Sequence, residues 1–258
     1  MDIKQIEQIC CEIAVKAGEA IMEIYNMPQQ IEYKSDNTPL TQADKISNEI
    51  ITQALAEKYP EYAILTEEGR DDKTRLANEN CFIVDPLDGT KEFIKRNGQF
   101  TVNIALAQNN KTILGVIYVP VTKELYFATK RNGSYYKEVR KPAQKITVSD
   151  ETDLTKVRVV MSSSHGCEQM EQLIEKYDLT NLVKMGSSLK GCLIAKGDAE
   201  IYYRHNPTME WDTAAMQCIV EEAGGIFRQM DGTKMTYNRE NSLNDKGFYI
   251  VNNKKNII

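Results

Sequence analysis

The residues of this sequence that could do chemistry are concentrated in one short run, Asp85-Pro86-Leu87-Asp88-Gly89-Thr90. The run supplies two carboxylates, the carbonyl oxygen of Leu87 and a hydroxyl group, and hard cations such as Mg²⁺ bind clustered oxygens of this kind. A short helix is expected over residues 90–95, and the free backbone N–H groups of Gly89 and Thr90 at its start suit a phosphate. The run predicts a site for a cation and a phosphate, with a simple Asp-Pro and Asp-Gly turn as the alternative.

Three further carboxylates stand at predicted strand ends or helix starts. Glu67 follows a predicted strand, just as Asp85 does, so the two side chains are expected side by side at one edge of a sheet. Asp212 occupies a predicted N-cap position and Asp44 matches the capping-box pattern Thr-x-x-Asp, and either role alone would be purely structural. Because the chain has only two histidines, the four positions together favour a carboxylate-rich Mg²⁺ site.

Composition excludes several classes of function. The net charge of −5 and the absence of basic runs argue against a nucleic-acid polymer as partner. No signal peptide is visible and no apolar stretch reaches the length of a membrane span, so no integral membrane contact is expected. The six cysteines lack metal-type spacing and are expected to be reduced thiols. A cytoplasmic protein is therefore expected, with loose peripheral association with a membrane left open.

The absence of several known phosphatase and nucleotide-binding motifs excludes further mechanisms. A cysteine phosphatase needs Cys-x5-Arg, and none of the six cysteines has an Arg at that spacing. A phosphoaspartate enzyme needs Asp-x-Asp-x-Thr, but the second position after Asp85 is Leu87. The P-loop pattern Gly-x4-Gly-Lys-Ser/Thr is also absent. Metal-assisted hydrolysis is the phosphate chemistry that these residues favour.

Apolar periodicity predicts the elements that position these residues. Amphipathic helices are expected over residues 3–26 and from Thr41 to residue 59, followed by a strand and a polar surface excursion over residues 70–80. Alternating residues from Phe100 to residue 128 predict an antiparallel meander with one buried face, packed against both helices. Beyond it, strands are expected over residues 157–161, 182–185, 199–203, 226–228 and 248–251, and helices over 168–177, 188–195 and 213–223.

The change of rhythm around residues 142–150 indicates a boundary between two lobes. An α+β lobe is expected over residues 1–145 and an α/β lobe over residues 146–258, packed as one compact unit. The fold class expected from the residues is therefore a mixed α/β (α+β) protein.

Three blocks of the sequence resemble the metal-binding motifs of the inositol monophosphatase and fructose-bisphosphatase superfamily. They are Glu67-Glu68, the run from 85 to 90, and Trp211-Asp212-Thr213-Ala214-Ala215. Residues 89–106, 34–41 and 186–190 are more specifically similar to the bacterial CysQ-type 3'(2'),5'-bisphosphate nucleotidases. The resemblance runs nearly end to end, and it implies the layered αβαβα sandwich of the superfamily, with the metal site in the first lobe and the substrate site in the second.

The resemblance also implies a role for each matching residue. The groups that would hold two or three Mg²⁺ ions are Glu67, Asp85, the Leu87 carbonyl, Asp88 and Asp212. Thr90 and Asp44 would orient and deprotonate a metal-bound water, which would attack the 3'-phosphorus in line. The N–H groups of Gly89 and Thr90 would cradle the phosphoryl oxygens.

The second lobe bears on the choice between nucleotide and inositol substrates. Ser187 and Lys190 share one face of a predicted helix, and Arg204 stands where inositol monophosphatases typically carry a Glu that binds a sugar hydroxyl. A guanidinium in place of an acid favours a second phosphate. His165 resembles the last residue of the nucleotidase Ser-x-Ser-His stretch and would flank the nucleoside. The alternatives are solvated charges at Lys190 and Arg204 and a surface position for His165.

Three positions depart from the pattern of that branch. Ser163 stands where Arg is common, Glu210 where an apolar residue is usual, and Met216 where a small residue is usual. None of the three is an expected metal ligand, so the departures bear on substrate preference more than on catalysis.

The resulting hypothesis is an Mg²⁺-dependent phosphomonoesterase that converts adenosine 3',5'-bisphosphate to AMP and phosphate, with 3'-phosphoadenylyl sulfate as a second expected substrate. The first alternative is a phosphatase for inositol phosphates. An alternative of another class is a non-catalytic sensor that binds nucleotide and metal. Asp44 and Thr90 argue against the sensor because a pure binder needs no water-activating pair. The sequence predicts no oligomeric state.

Overall fold

Two capped helices open the chain in the computed structural model, which describes residues 2–27, 31–33, 39–163 and 168–258. Helix α1 (Ile3–Tyr25) begins where the Asp2 carboxylate accepts the backbone N–H groups of Lys4 and Gln5. Helix α2 (Gln42–Lys58) follows two short antiparallel strands, β1 (Ile31–Tyr33) and β2 (Pro39–Thr41). Both helices were expected from the apolar periodicity.

A seven-stranded sheet forms the first lobe. Its strands in spatial order are β3 (Ala63–Thr66), β4 (Asn80–Asp88), β5 (Thr101–Gln108), β6 (Lys111–Val119), β7 (Glu124–Thr129), β8 (Gly133–Glu138) and β9 (Gln144–Ile146). Strands β3 and β4 are parallel, and the rest form the expected antiparallel meander. The short helix α3 (Thr90–Ile94) lies between β4 and β5, also as expected.

A five-stranded sheet forms the second lobe, with strands in the spatial order β11-β10-β12-β16-β14. The strands of this half of the chain are β10 (Arg158–Ser162), β11 (Asn181–Met185), β12 (Ile201–Arg204), β13 (Thr208–Met209), β14 (Ile226–Gln229), β15 (Leu243–Asn244) and β16 (Phe248–Val251). The helices are α4 (Glu168–Lys176), α5 (Leu189–Ala195) and α6 (Glu210–Glu222). Strands β13 and β15 pair separately, beside the start of α6.

Three apolar cores stack the elements into five layers. Helices α1 and α2 cover one face of the first sheet through residues such as Ile21 and Phe82. The next residue of β4, Ile83, faces the opposite core, where Ile219 of α6 packs between the two sheets. Met170 of α4 belongs to a third core on the outer face of the second sheet. This is the αβαβα sandwich that the resemblance implied.

The meander differs from expectation in the burial of its faces. We expected one buried face, but every residue of β5 up to Ala107 is buried. Helix α1 contacts β5 on one side and α6 contacts it on the other, so alternation of polar and apolar residues is not needed there. The polar-looking residues of β5, such as Thr101 and Asn103, are therefore inside the protein.

Strand β4 and helix α6 also begin or end elsewhere than expected. The strand expected to stop before Asp85 is longer than predicted, because β4 continues past Pro86 to Asp88. A register shift lies between Asp85 and Asp88, and such a bulge tolerates a proline. Helix α6 begins at Glu210, so Asp212 is the third residue of the helix and not its N-cap. The Asp212 carboxylate reaches back to accept the N–H of Met209, which stabilises these extra residues of helix.

Two remaining features concern the surface. The excursion over residues 70–80 is not wholly exposed, since Arg75 in its 3₁₀ turn (Thr74–Ala77) is buried and donates to Asn238. None of the helices in the described part of the chain is long and apolar enough to cross a membrane.

Candidate active site

Parallel pairing of β3 and β4 brings the first two acidic positions together. Thr66 pairs with Val84, so Glu67 and Asp85 follow side by side where this parallel pair ends, as the sequence predicted. The backbone N–H of Glu67 donates to the carbonyl of Val84 at 3.2 Å, which continues the pairing of the two strands by one residue. The end of this parallel pair is therefore the place where the acidic groups collect.

Three aspartates form the centre of the site. One carboxylate oxygen each from Asp85, Asp88 and Asp212 lies within 4.8 Å of the others. Strand β4 supplies the first two, on either side of its bulge, and the first turn of α6 supplies the third. Glu67 lines the same cavity. A backbone contact stiffens the group, because the N–H of Leu87 donates to Asp85 Oδ1 at 3.1 Å.

Burial and the repulsion of neighbouring charges make Asp85 and Asp212 hard to ionise. Burial raises the pKa of Asp85 well above its usual value, and the charges of Glu67, Asp88 and Asp212 raise it further. Burial likewise raises the pKa of Asp212 to about 8, with Asp88 as the next cause. A divalent cation would offset this repulsion, and a donor set of oxygens alone suits Mg²⁺. The residues present therefore fit the metal that the resemblance implies.

Asp44 combines a structural role with a position beside Thr90. Its Oδ2 accepts the backbone N–H of Thr41 at 2.7 Å and the Thr41 hydroxyl at 2.6 Å, which completes the predicted capping box. Its Oδ1 accepts the Thr90 hydroxyl at 3.2 Å. Burial raises the pKa of Asp44, although the hydrogen bonds from Thr41 oppose the shift.

Gly89 occupies a position that a larger residue would strain. Its φ of +94° lies in the left-handed region, at the start of α3. A Cβ atom there would lie 3.2 Å from the carbonyl oxygen of Gln99 and 3.3 Å from the Cβ of Ser187. The turn can therefore approach the second lobe closely, with Gly89 and Thr90 both lining the cavity. The phosphate cradle assigned to their N–H groups stays a prediction.

Two cationic side chains face the same cavity from the second lobe, with Lys190 buried and Arg204 half-buried. Lys190 Nζ donates to the carbonyl of Ser187 at 2.6 Å and lies 5.6 Å from the ring centroid of Tyr202. Burial lowers the pKa of Lys190 to about 8, partly countered by Asp88, while the nearby Arg204 guanidinium lowers it further. The buried Nε of Arg204 has no hydrogen-bond partner among the described residues. Because the two positive charges repel each other and are partly shielded from water, an anion bound between them would be stabilised.

The cavity of about 230 Å³ brings nearly all of the predicted site residues together. Those that line it are Glu67, Asp85, Leu87, Asp88, Gly89, Thr90, Ser187, Lys190, Arg204 and Asp212. Asp44 is joined to it through Thr90, and His165 lies outside the described residues. The hydroxyl of Ser187 donates to Asp88 Oδ2 at 2.8 Å, so this predicted substrate contact also holds a predicted metal ligand.

Two aromatic lining residues of the cavity, Tyr202 and Phe248, were not predicted from the sequence. Met216, which was noted only as a departure from the family pattern, lines the cavity with them. Tyr202 could have been found, because it lies two residues before Arg204 on β12 and must share its face of the sheet. Phe248 pairs with Arg204 across strands that are 44 positions apart in sequence, so no local signal reveals it. The unusual Met216 fits because it packs against Gly191, where a Cβ atom would collide with the Met216 side chain.

Comparisons with known proteins agree with this geometry. The model of the inositol monophosphatase family matches residues 2–256. The 3'(2'),5'-bisphosphate nucleotidase CysQ of Salmonella typhimurium is 38% identical over 249 residues, covering 95% of this chain and 99% of that protein. The protein of the same name from Buchnera aphidicola is 41% identical over 252 residues, covering 95% and 93%.

Solved structures show the same fold. The crystal structure of CysQ from Bacteroides thetaiotaomicron has a TM-score of 0.84 and 39% identity, covering 97% of this chain and 98% of that one. An inositol monophosphatase from Anabaena has a TM-score of 0.76 at 24% identity, covering 96% and 90%, which shows the fold alone. With the αβαβα layers, the three-aspartate cluster and the family match over residues 2–256, the chain belongs to the inositol monophosphatase family.

Proposed function

We propose that this protein is an Mg²⁺-dependent 3'(2'),5'-bisphosphate nucleotidase that removes the 3'-phosphate from adenosine 3',5'-bisphosphate and leaves AMP. The observation that carries the proposal is one cavity that holds both the carboxylate cluster and two cationic side chains, Lys190 and Arg204. An enzyme for a monophosphate needs the first of these features, whereas a bisphosphate uses both. The CysQ relatives carry this activity in their names.

At the metal end, the chain supplies ligands and a path for a proton. The groups that would hold Mg²⁺ are Glu67, Asp85, the Leu87 carbonyl, Asp88 and Asp212. Bound Mg²⁺ supplies positive charge for the phosphoryl oxygens and lowers the pKa of a water ligand. The Thr90 hydroxyl, which donates to Asp44 Oδ1, can pass the proton of an attacking water to that carboxylate. The raised pKa of Asp44 suits it to accept this proton.

At the other end, Lys190 and Arg204 would bind the 5'-phosphate. Arg204 Nε brings an unused donor, and the ammonium of Lys190 gains a negative partner that offsets its burial. 3'-Phosphoadenylyl sulfate also carries a 5'-phosphate, so the same groups would accept it. The Gly89 and Thr90 N–H groups would hold the departing 3'-phosphate.

The setting of the activity is also part of the proposal. The free thiols of the cysteines in the described ranges, Cys10, Cys11, Cys81, Cys192 and Cys218, support a reducing compartment such as the cytoplasm. The partner is a small nucleotide rather than a polymer, as the net charge of −5 supports. The expected division of sites between the lobes needs a correction: lobe 1–145 would supply most of the metal site, whereas lobe 146–258 would supply both the anion site and the ligand Asp212.

Charge reversal of Arg204 tests the anion site. Arg204→Glu is expected to raise KM for adenosine 3',5'-bisphosphate by about thirtyfold or more, because the bound 5'-phosphate would lose a charged hydrogen-bond partner. KM for 3'-AMP, which lacks the 5'-phosphate, should change much less. Arg140→Glu makes the same change of net charge at an exposed residue outside the cavity and serves as the control. An unchanged KM for the bisphosphate in Arg204→Glu would refute the assignment.

A further inference from the structure

One oxygen of Asp88 accepts an unusual number of hydrogen bonds. Oδ2 accepts from the Ser188 backbone N–H and hydroxyl, both at 2.7 Å, from the Ser187 hydroxyl at 2.8 Å and from Asn103 Nδ2 at 3.3 Å. A carboxylate oxygen with four donors has no lone pair left for a cation. The other oxygen, Oδ1, is therefore the one that can serve as a metal ligand.

The orientation of Asn103 is fixed by a second layer of contacts. The ionised carboxylate of Asp88 can only accept hydrogen bonds, so the end of Asn103 that faces it is Nδ2, and Asn103 Oδ1 then lies 2.8 Å from the Thr101 hydroxyl. Asn103 Nδ2 also donates to the Ser188 hydroxyl at 3.0 Å. Asn103 is 1% exposed and Ser188 2% exposed, so water does not compete for these bonds.

We infer that Asn103 and Ser188 are positioning residues for the divalent-cation site. By saturating Oδ2 they lock the carboxylate of Asp88 in the rotation that keeps Oδ1 available to a cation shared with Asp85 and Asp212. The inference rests on the metal site of the proposed function, but it is independent of which phosphate ester is cleaved. Hydrogen-bonded partners of metal ligands commonly control metal affinity in this way.

The two positioning residues come from different lobes. Asn103 belongs to β5 of the first sheet, whereas Ser188 precedes α5 of the second lobe. Asp88 is thus held correctly only where the second lobe docks on the end of β4. Cation binding and the docking of the lobes are therefore coupled, and a bound cation stabilises the junction by mass action.

The experiment measures Mn²⁺ binding by isothermal titration calorimetry on the full chain without substrate. Ser188→Ala and Asn103→Leu are expected to raise the Kd for Mn²⁺ by about tenfold or more. The control is Ser134→Ala, since Ser134 is fully buried in the same sheet and its hydroxyl has no hydrogen-bond partner among the described residues. It should leave the Kd for Mn²⁺ unchanged.

A thermal scan of each variant separates positioning from general damage. Ser188→Ala should melt near the wild type in chelator, yet gain less thermal stability when Mg²⁺ is added. A wild-type Kd for Mn²⁺ in Ser188→Ala overturns the inference, even if turnover falls. Ser188→Ala removes only one buried oxygen, so it still tests the positioning role if Asn103→Leu fails to fold. If the wild type itself binds no Mn²⁺, the metal site of the proposed function fails instead.

Discussion

At the scale of single residues, the carboxylates proposed for catalysis and metal binding also have structural roles. Asp44 accepts the Thr41 N–H of the capping box with Oδ2 and the Thr90 hydroxyl with Oδ1. Asp212 accepts the N–H of Met209 with Oδ2 while it contributes an oxygen to the cluster with Asp85. A carboxylate has two oxygens, so one can fix the rotamer while the other acts. Capping patterns in a sequence therefore do not argue against a catalytic role.

Titration of Lys190 should make the binding of the bisphosphate depend on pH. Its pKa of about 8 in the free protein means that it loses its proton above that pH. A phosphate binds the protonated form, so KM for adenosine 3',5'-bisphosphate should rise above pH 8, by at most about tenfold per pH unit. Steady-state kinetics between pH 7 and pH 9.5 measure this rise. Lys190→Arg keeps its charge throughout and should flatten the profile.

The substrate 3'-AMP provides the internal comparison for this experiment. It has no 5'-phosphate for Lys190 to bind, so its KM should not follow the same titration. A rise of equal size for both substrates would show that another group is responsible.

At the scale of elements, the start of α6 is held by a distant loop. The carboxylate of Glu210 is fully buried and accepts the N–H of Asn238 at 2.6 Å and that of Arg239 at 3.0 Å. Arg75 joins from the first lobe by donating to Asn238 Oδ1 at 2.7 Å. This explains the acidic residue found where an apolar one is usual. The sequence could not predict it, because the partners of Glu210 lie 28 and more positions away.

Neutralising Glu210 should therefore weaken the fold. Glu210→Gln exchanges a charge-assisted acceptor for a neutral one and is expected to lower the free energy of unfolding by about 1–3 kcal/mol. Glu221→Gln on the same helix is the control, because its ion pair with Arg228 is partly exposed and should contribute below about 1 kcal/mol. Urea unfolding monitored by circular dichroism compares the two. Equal, small losses would contradict the role given to Glu210.

At the scale of the whole molecule, the sequence predicted the order of elements better than their environment. The helices, the meander and the alternating second lobe follow from local periodicity, and each was present near its expected place. The full burial of β5 and the extension of β4 past Pro86 depend on contacts with α6 and on a bulge, which no local pattern encodes. In the site, motif residues were predicted, whereas Phe248 and Asn103 needed the pairing of strands.

The shared central core predicts that the molecule unfolds as one unit. Ile219 is fully buried on α6 between the sheets, so Ile219→Ala should lower the free energy of unfolding by about 2–5 kcal/mol. Fluorescence of Trp211, the single tryptophan, and far-UV circular dichroism should report one coincident urea transition. Leu182→Ala, at a residue 42% exposed, should change little. Two separate transitions would show that the lobes unfold independently.

The measurement that tests the central claim most directly is phosphate release from adenosine 3',5'-bisphosphate, AMP and inositol 1-phosphate, each with Mg²⁺ and again with a chelator. We predict Mg²⁺-dependent release with a strong preference for the bisphosphate, and loss of turnover in Asp88→Asn. Preference for inositol 1-phosphate would leave the metal site standing and contradict the role of Lys190 and Arg204. Binding of the nucleotide without any release would contradict the assignment of an enzyme.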